Sequence, residues 1–209
     1  MHVNPPPPSD RPRTKAGQRE ATTAALISAA RELFAERGYA DVGTEEIVAR
    51  AGVTRGALYH HFKHGKEELF RAVLVEINAE TVRHVTDLAL AQADPWEALA
   101  AGADAFLDAF AAPEVQRIVL VDAASVLGWD VWRAIDSDQG LGVVEAAIQR
   151  AIDAGRLIPQ PAKALAHVVL GAISEAAMVV AQADDPVAAR AEMGATVRRL
   201  LEGLRAPEA

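Results

Sequence analysis

Residues 43–62 read GTEEIVARAGVTRGALYHHF, and this stretch decides the fold. It spells a helix, a tight turn and a second helix. Gly43 or Thr44 can open the first helix, and Gly52 supplies a left-handed turn residue. Val53 plugs the angle between the helices, and Thr54 caps the second one. Ile47, Val48, Val53, Leu58 and Phe62 are the expected small core. In a helix-turn-helix the second helix lies in the major groove of DNA. Thr54, Arg55, Ala57, Tyr59 and His60 are therefore its candidate DNA-facing residues, and small Gly56 and Ala57 let the backbone approach closely.

Upstream, the apolar stripe Leu26, Ala30, Leu33 and Phe34 predicts a helix from about Thr22 to Arg37. Gly38 stops it, and Tyr39 returns to the core. Residues 1–19 are expected to be a disordered tail. Four consecutive prolines forbid a helix near its start, and no secretory pattern is present. Its Arg11, Arg13, Lys15 and Arg19 read as a solvated tail, with a flexible arm on phosphates as the alternative.

Downstream there is no glycine or proline between Gly65 and Pro95, which predicts one long helix from Lys66 to about Asp94, opened by Glu67 and Glu68. Its apolar side is Phe70, Val73, Leu74, Ile77 and Leu88. A stiff rod of this kind can convert a change in the body into a reorientation of the head. Further helices are expected at Pro95–Ala111, Pro113–Leu127, Trp129–Asp136, Leu141–Ala154, Ala162–Ala183 and Asp185–Leu204. The fold class is all-α. A three-helix helix-turn-helix domain over 20–66 precedes a helical ligand-binding and dimerisation domain over 67–205.

The charge distribution agrees with two parts. Residues 1–66 carry 10 Lys/Arg against 7 Asp/Glu and residues 67–209 carry 11 against 22, so the net −8 divides into a +3 head and a −11 body. Zero cysteines exclude cystine frameworks, thiolate metal sites and cysteine nucleophiles, and fit a cytoplasmic location. His60, His61 and His64 are a dense imidazole cluster. Adjacent histidines point to different sides of a helix, however, and no nearby pair has the i, i+4 spacing with a glutamate base, so no metal is expected. With no G-x-S-x-G and no glycine-rich phosphate loop, the chain does not read as an enzyme, and no cofactor is expected.

From about Thr22 to Leu69 the chain resembles the tetracycline-repressor (TetR) family of bacterial transcription factors. The resemblance rests on Ala30, Leu33, Phe34, Gly38 and Tyr39, then Ile47, Ala51-Gly52-Val53, Gly56, Leu58-Tyr59, His61-Phe62 and Lys66. It implies that Thr44, Tyr59, His61 and Lys66 hold phosphates while Arg55 and Ala57 face bases. Arginine can bond bidentately to guanine, whereas phosphate contacts fix register only. Two departures stand out: Val42-Gly43 replaces a frequent hydroxyl pair, and Phe62-Lys63-His64-Gly65-Lys66 is one residue longer than the commonest form.

Beyond the long helix all five aromatic residues, Trp96, Phe106, Phe110, Trp129 and Trp132, fall in one segment, and they either pack as core or line an apolar pocket. Phe106, Phe110, Asp122, Trp129 and Trp132 are the candidate ligand-binding residues. Asp122, set among apolar residues, needs a structural partner or a ligand. Glu97, Asp104 and Asp108 read as a solvated stripe. Ala164–Ala183 is long enough to cross a membrane but carries His167, Ser174, Glu175 and Gln182, and a buried helix explains it without a membrane partner. Leu165, Val169, Ile173, Val180, Val197 and Leu201 are the expected homodimer interface, closing a four-helix bundle from two chains.

Together these readings predict a homodimeric DNA-binding regulator, a repressor released from a pseudo-palindromic operator by a small-molecule effector. The alternative is a ligand-independent architectural DNA-binding protein. Release needs differential affinity: moving an equilibrium from 1:99 to 99:1 takes roughly 5.5 kcal/mol.

Overall fold

The computed structural model describes residues 14–207, and among them there is no β-strand, only an isolated antiparallel bridge between Leu157 and Arg205. The prolines of the tail, with Arg11 and Arg13, lie outside the described residues. Helix α1 runs Lys15–Arg37 and starts at Thr14, whose side chain accepts a hydrogen bond from the Gly17 amide. It begins well before Thr22, so Lys15 and Arg19 are helical. Its first two turns are largely exposed and carry no apolar stripe, which is the signal that periodicity depends on.

Helices α2 (Thr44–Ala51) and α3 (Arg55–His61) complete the head, and α4 (Lys66–Leu90) leaves it for the body. Leu26, Leu33, Phe34, Ile47 and Leu58 are buried between them. The head core does not end at α3, because Phe70 of α4 meets Phe34 edge-on at 5.3 Å and Tyr39 at 5.1 Å. Aromatic packing of this kind adds about 0.5–1.5 kcal/mol per pair to burial. Head and rod are thus one packed unit.

The body is built from α5 (Pro95–Phe110), α6 (Pro113–Val115), a π-helical stretch (Gln116–Asp122), α7 (Ala123–Leu127), α8 (Trp129–Asp153), α9 (Ala162–Gln182) and α10 (Pro186–Glu202). Asp94 and Asp185 cap α5 and α10, each with the proline at the first turn. The break expected after Asp136 is absent, and α8 runs straight through Gly140 and Gly142. Helix propensity is overridden by packing there, since Gly140 lies against Leu170 of α9.

Two further expectations for the body change. Leu165, Val169, Ile173, Val180, Val197 and Leu201 are at most 9% exposed, buried inside one protomer, so they are not free to pair with a second chain. The sequence shows that α9 and α10 are apolar but not which apolar residues the same chain covers. Glu97, Asp104 and Asp108 are not simply solvated: Arg190 reaches Asp108 at 2.7 Å, and Arg198 reaches Asp104 at 3.0 Å, joining α5 to α10. Helix α9, the one described helix long and apolar enough to cross a membrane, packs against α5, α8 and α10.

Head and body are pinned by Arg31 of α1. Its guanidinium donates to Glu114 of α6 at 2.6 Å and to Glu80 of α4 at 2.7 Å, with Glu76 at 3.7 Å. These carboxylates raise its pKa further, Glu114 most. Next to it, Gly38 ends α1 with φ 81°, and a Cβ there would overlap the Arg117 guanidinium. Gly38→Ala is therefore expected to destabilise the protein by about 1–3 kcal/mol. Thermal unfolding measures this, and an unchanged Tm would disprove the packing described.

Candidate nucleic-acid interface and body cavity

The turn between α2 and α3 is built as its residues require. Gly52 adopts the left-handed conformation (φ 67°, ψ 29°), its amide reaching the α2 carbonyls of Val48 and Ala49. Thr54 caps α3 by accepting from the Ala57 amide at 3.2 Å. Leu58 faces inward and is fully buried, which turns Thr54, Arg55, Gly56, Tyr59 and His60 outward, all exposed. Ala57 is half-buried beside them. A Cβ at Gly56 would meet only the Thr54 hydroxyl, near 4 Å, so none of the described residues occupies the space over it.

Two contacts pre-set the outward residues. Tyr59 packs against Gly65, whose φ of 65° leaves no Cβ between them. Arg55 lies 5.8 Å from the Tyr59 ring and 3.4 Å from Glu45 of α2. Both ion partners are well exposed, so the pair is worth at most about 1 kcal/mol and yields readily to a stronger acceptor. Thr44 is the first residue of α2, and Gly43 before it provides no side-chain cap. The free amides there are thus left to an outside acceptor.

His61 and Lys66, the other expected phosphate residues, are also engaged within the head. His61 Nδ1 lies 3.0 Å from the Thr23 hydroxyl of α1. Burial lowers the pKa of this histidine, and His60 and Arg19 add to the shift. The Lys66 ammonium donates to the carbonyls of Tyr39 (2.9 Å) and Val42 (3.0 Å) and sits 3.9 Å from the Tyr39 ring centroid. Burial lowers its pKa too, opposed by Asp41. An ammonium has three donors, so one remains.

Ion pairing leaves the head fewer free cations than its composition suggests. Arg31, Arg37 and Arg50 are each matched to glutamates, Arg37 to Glu46 and Arg50 to Glu32 at 3.0 Å. Lys15, Arg19 and Lys63 show no ion pair among the described residues. The basic patch is therefore α3 with the start of α1.

In the body an apolar cleft opens between α4, α5, α8 and α9. Phe106 lines it, and Phe110 lines a smaller cavity beside it. The other candidates do not. Asp122 accepts from the Tyr39 amide at 2.8 Å and faces Arg117, so its partner is structural. Trp132 is 5% exposed in the core, and Trp129, 57% exposed, stacks near it at 4.8 Å. Neither lines the cleft. Most of the lining, including Val85, Ala89, Val144, Val169 and Ile173, is aliphatic. Aromatic clustering could not reveal it, whereas the apolar stripes of α4 and α9 could have.

Two substitutions separate holding the head together from touching DNA. Lys66→Met should lower stability by about 1–3 kcal/mol, because two carbonyls lose a charged donor, and weaken DNA binding with it. Tyr59→Phe, whose hydroxyl makes no hydrogen bond among the described residues, should leave Tm unchanged and weaken binding to every duplex. Thermal melts and fluorescence anisotropy on duplex DNA read both.

Residues 26–73 match the model of the bacterial regulatory proteins of the tetR family, and residues 96–204 match a tetracyclin repressor-like C-terminal domain. The chain is 31% identical to the transposon Tn10 TetC protein of Escherichia coli over 141 residues, 66% of this chain and 69% of that one. A TetR-family transcriptional regulator from Pectobacterium atrosepticum superposes with TM-score 0.83 at 36% identity, covering 94% of this chain and all of that one. RolR in complex with resorcinol shares the fold (TM-score 0.61, 22% identity, 93% and 99% covered). With an open recognition helix on a rigid rod, an all-helical body, and matches over both halves, the chain belongs to the TetR family of bacterial transcriptional regulators.

Proposed function

We propose that this regulator is a cytoplasmic homodimeric repressor that reads a pseudo-palindromic operator and is released from it by a small molecule bound in the body cleft. The division of labour is the head over 20–66 for DNA and 67–205 for ligand and dimer. One observation carries the reading: the outward side of α3 presents Arg55, Gly56, Tyr59 and His60 unobstructed, on a helix whose inner side packs against α1 and α2. Arg55 reads bases. Tyr59, Thr44, His61 and the remaining donor of Lys66 hold phosphates.

One α3 reads few base pairs, and a two-fold axis doubles the site and sets its spacing. The corrected dimer face is the exposed apolar side of the last two helices, with Val168 (64% exposed) and Val179 (41%) on α9 and Leu200 (48%) on α10. The cleft, lined by α4 over its last turns, supports release, because a ligand there touches the helix that carries the head. RolR with its resorcinol shows that this fold can hold a small molecule.

Selection of bound duplexes from a random library should enrich a palindrome for the native protein. Arg55→Ala should relax it by about 1–3 kcal/mol at one position per half-site. Equal losses on selected and random DNA would remove Arg55 from base readout, and no enrichment would favour an architectural binder. Val168→Glu with Leu200→Glu should give folded monomers by light scattering. By contrast, Val169→Glu, which buries a charge at a site 1% exposed, should unfold the chain.

A further inference from the structure

The cleft and the smaller cavity beside it share Phe106 and Leu170, and both lie between α4, α5, α8 and α9, marking a path along these helices. Along α4 the lining steps from Asn78 through Val82 and Thr86 to Ala89, and along α8 from Gly140 through Val144 and Ala147 to Arg150, at three- or four-residue intervals. Ten residues of α8 at 1.5 Å each make the path about 15 Å long. Its walls are mostly aliphatic, with Phe106 and Phe110 between, and the Thr86 hydroxyl is already used, donating to the Val82 carbonyl at 2.7 Å.

Each end carries one polar group without a partner. At the inner end Asn78 is 6% exposed, and its buried Nδ2 has no hydrogen-bond acceptor among the described residues. An unsatisfied buried donor is unfavourable, so it favours an acceptor brought by a ligand. At the outer end Arg150 is the only charged residue of the lining. It is exposed and makes no ion pair among the described residues, while the neighbouring Asp153 carboxylate is held by Gln149 at 2.8 Å.

From this pairing we infer that the effector is an elongated amphipathic anion, a fatty-acid-like carboxylate bearing a hydrogen-bond acceptor at its far end. The inference rests on the ligand-released reading above. Arg150 holds the carboxylate at the mouth, the aliphatic walls take the chain, and Asn78 Nδ2 donates to the distal oxygen.

Titration calorimetry on the full chain uses three probes: dodecanoate, ω-hydroxydodecanoate and the uncharged dodecanediol. The native protein should bind ω-hydroxydodecanoate at least tenfold more tightly than either of the others. Arg150→Gln should cost tenfold or more for both carboxylates and leave dodecanediol unchanged. Asn78→Leu should erase the preference for the ω-hydroxyl. Absence of binding, equal affinity for the three probes, or indifference to Arg150→Gln would overturn the inference. The comparison on the native protein tests the inner end even if Asn78→Leu does not fold. Operator binding measured on the same preparations separates the two readings. An operator-bound protein indifferent to all three probes refutes the effector class alone, while loss of operator binding upon ω-hydroxydodecanoate supports both.

Discussion

The backbone of Gly38–Val42 is the point on which head, rod and body all depend. The carbonyls of Tyr39 and Val42 accept from Lys66 of α4, the Tyr39 amide donates to Asp122, and the Arg37 carbonyl accepts from Arg117. The end of a helix leaves backbone groups that its own turns cannot satisfy. Here they are satisfied by side chains from two other elements, so the orientation of α1 cannot change without breaking these bonds, most of them partly buried. The charged donor and acceptor make these bonds stronger than neutral ones.

The π-helical stretch serves the same junction. Arg117 and Asp122 are five residues apart, which in an α-helix with 3.6 residues per turn would place them on divergent sides. Winding with i→i+5 bonds brings them toward one side, 3.7 Å apart, and both reach the end of α1. With Arg31 bridging Glu80 and Glu114, the clasp ties α1 to both α4 and the segment after α5. A ligand between α4, α5, α8 and α9 thus lies against the rod that carries Lys66, and rod and clasp must shift together if the head is to turn.

Much of the head was legible in residue types alone. Gly38, Gly52 and Thr54 each do at a helix end what only their side chains, or lack of one, allow, and the apolar spacing of Leu26, Leu33, Phe34, Ile47 and Leu58 named its core. The start of α1 was not, since Lys15–Ala21 form a largely exposed helix with no burial to imprint a period. Nor was the continuity of α8, where Leu170 supports a glycine whose local preference is to break. For the site, the exposed side of α3 followed from the burial of Leu58. The further engagement of Lys66 and His61 did not, because their partners, the Tyr39 and Val42 carbonyls and Thr23, are distant in the chain.

By itself the sequence determined an all-helical chain with a helix-turn-helix head, its caps and the residues on the outward side of its second helix. These depend on contacts within a few turns, which residue spacing records. Only the tertiary structure decided which apolar stripe of α9 and α10 is spent inside the protomer, that Asp122 and Arg117 hold the head rather than a ligand, and that the cleft is aliphatic between Asn78 and Arg150. Each of those outcomes depends on which helix lies opposite. A stripe of valines and leucines looks the same in sequence whether it faces its own chain, a cavity or a second copy.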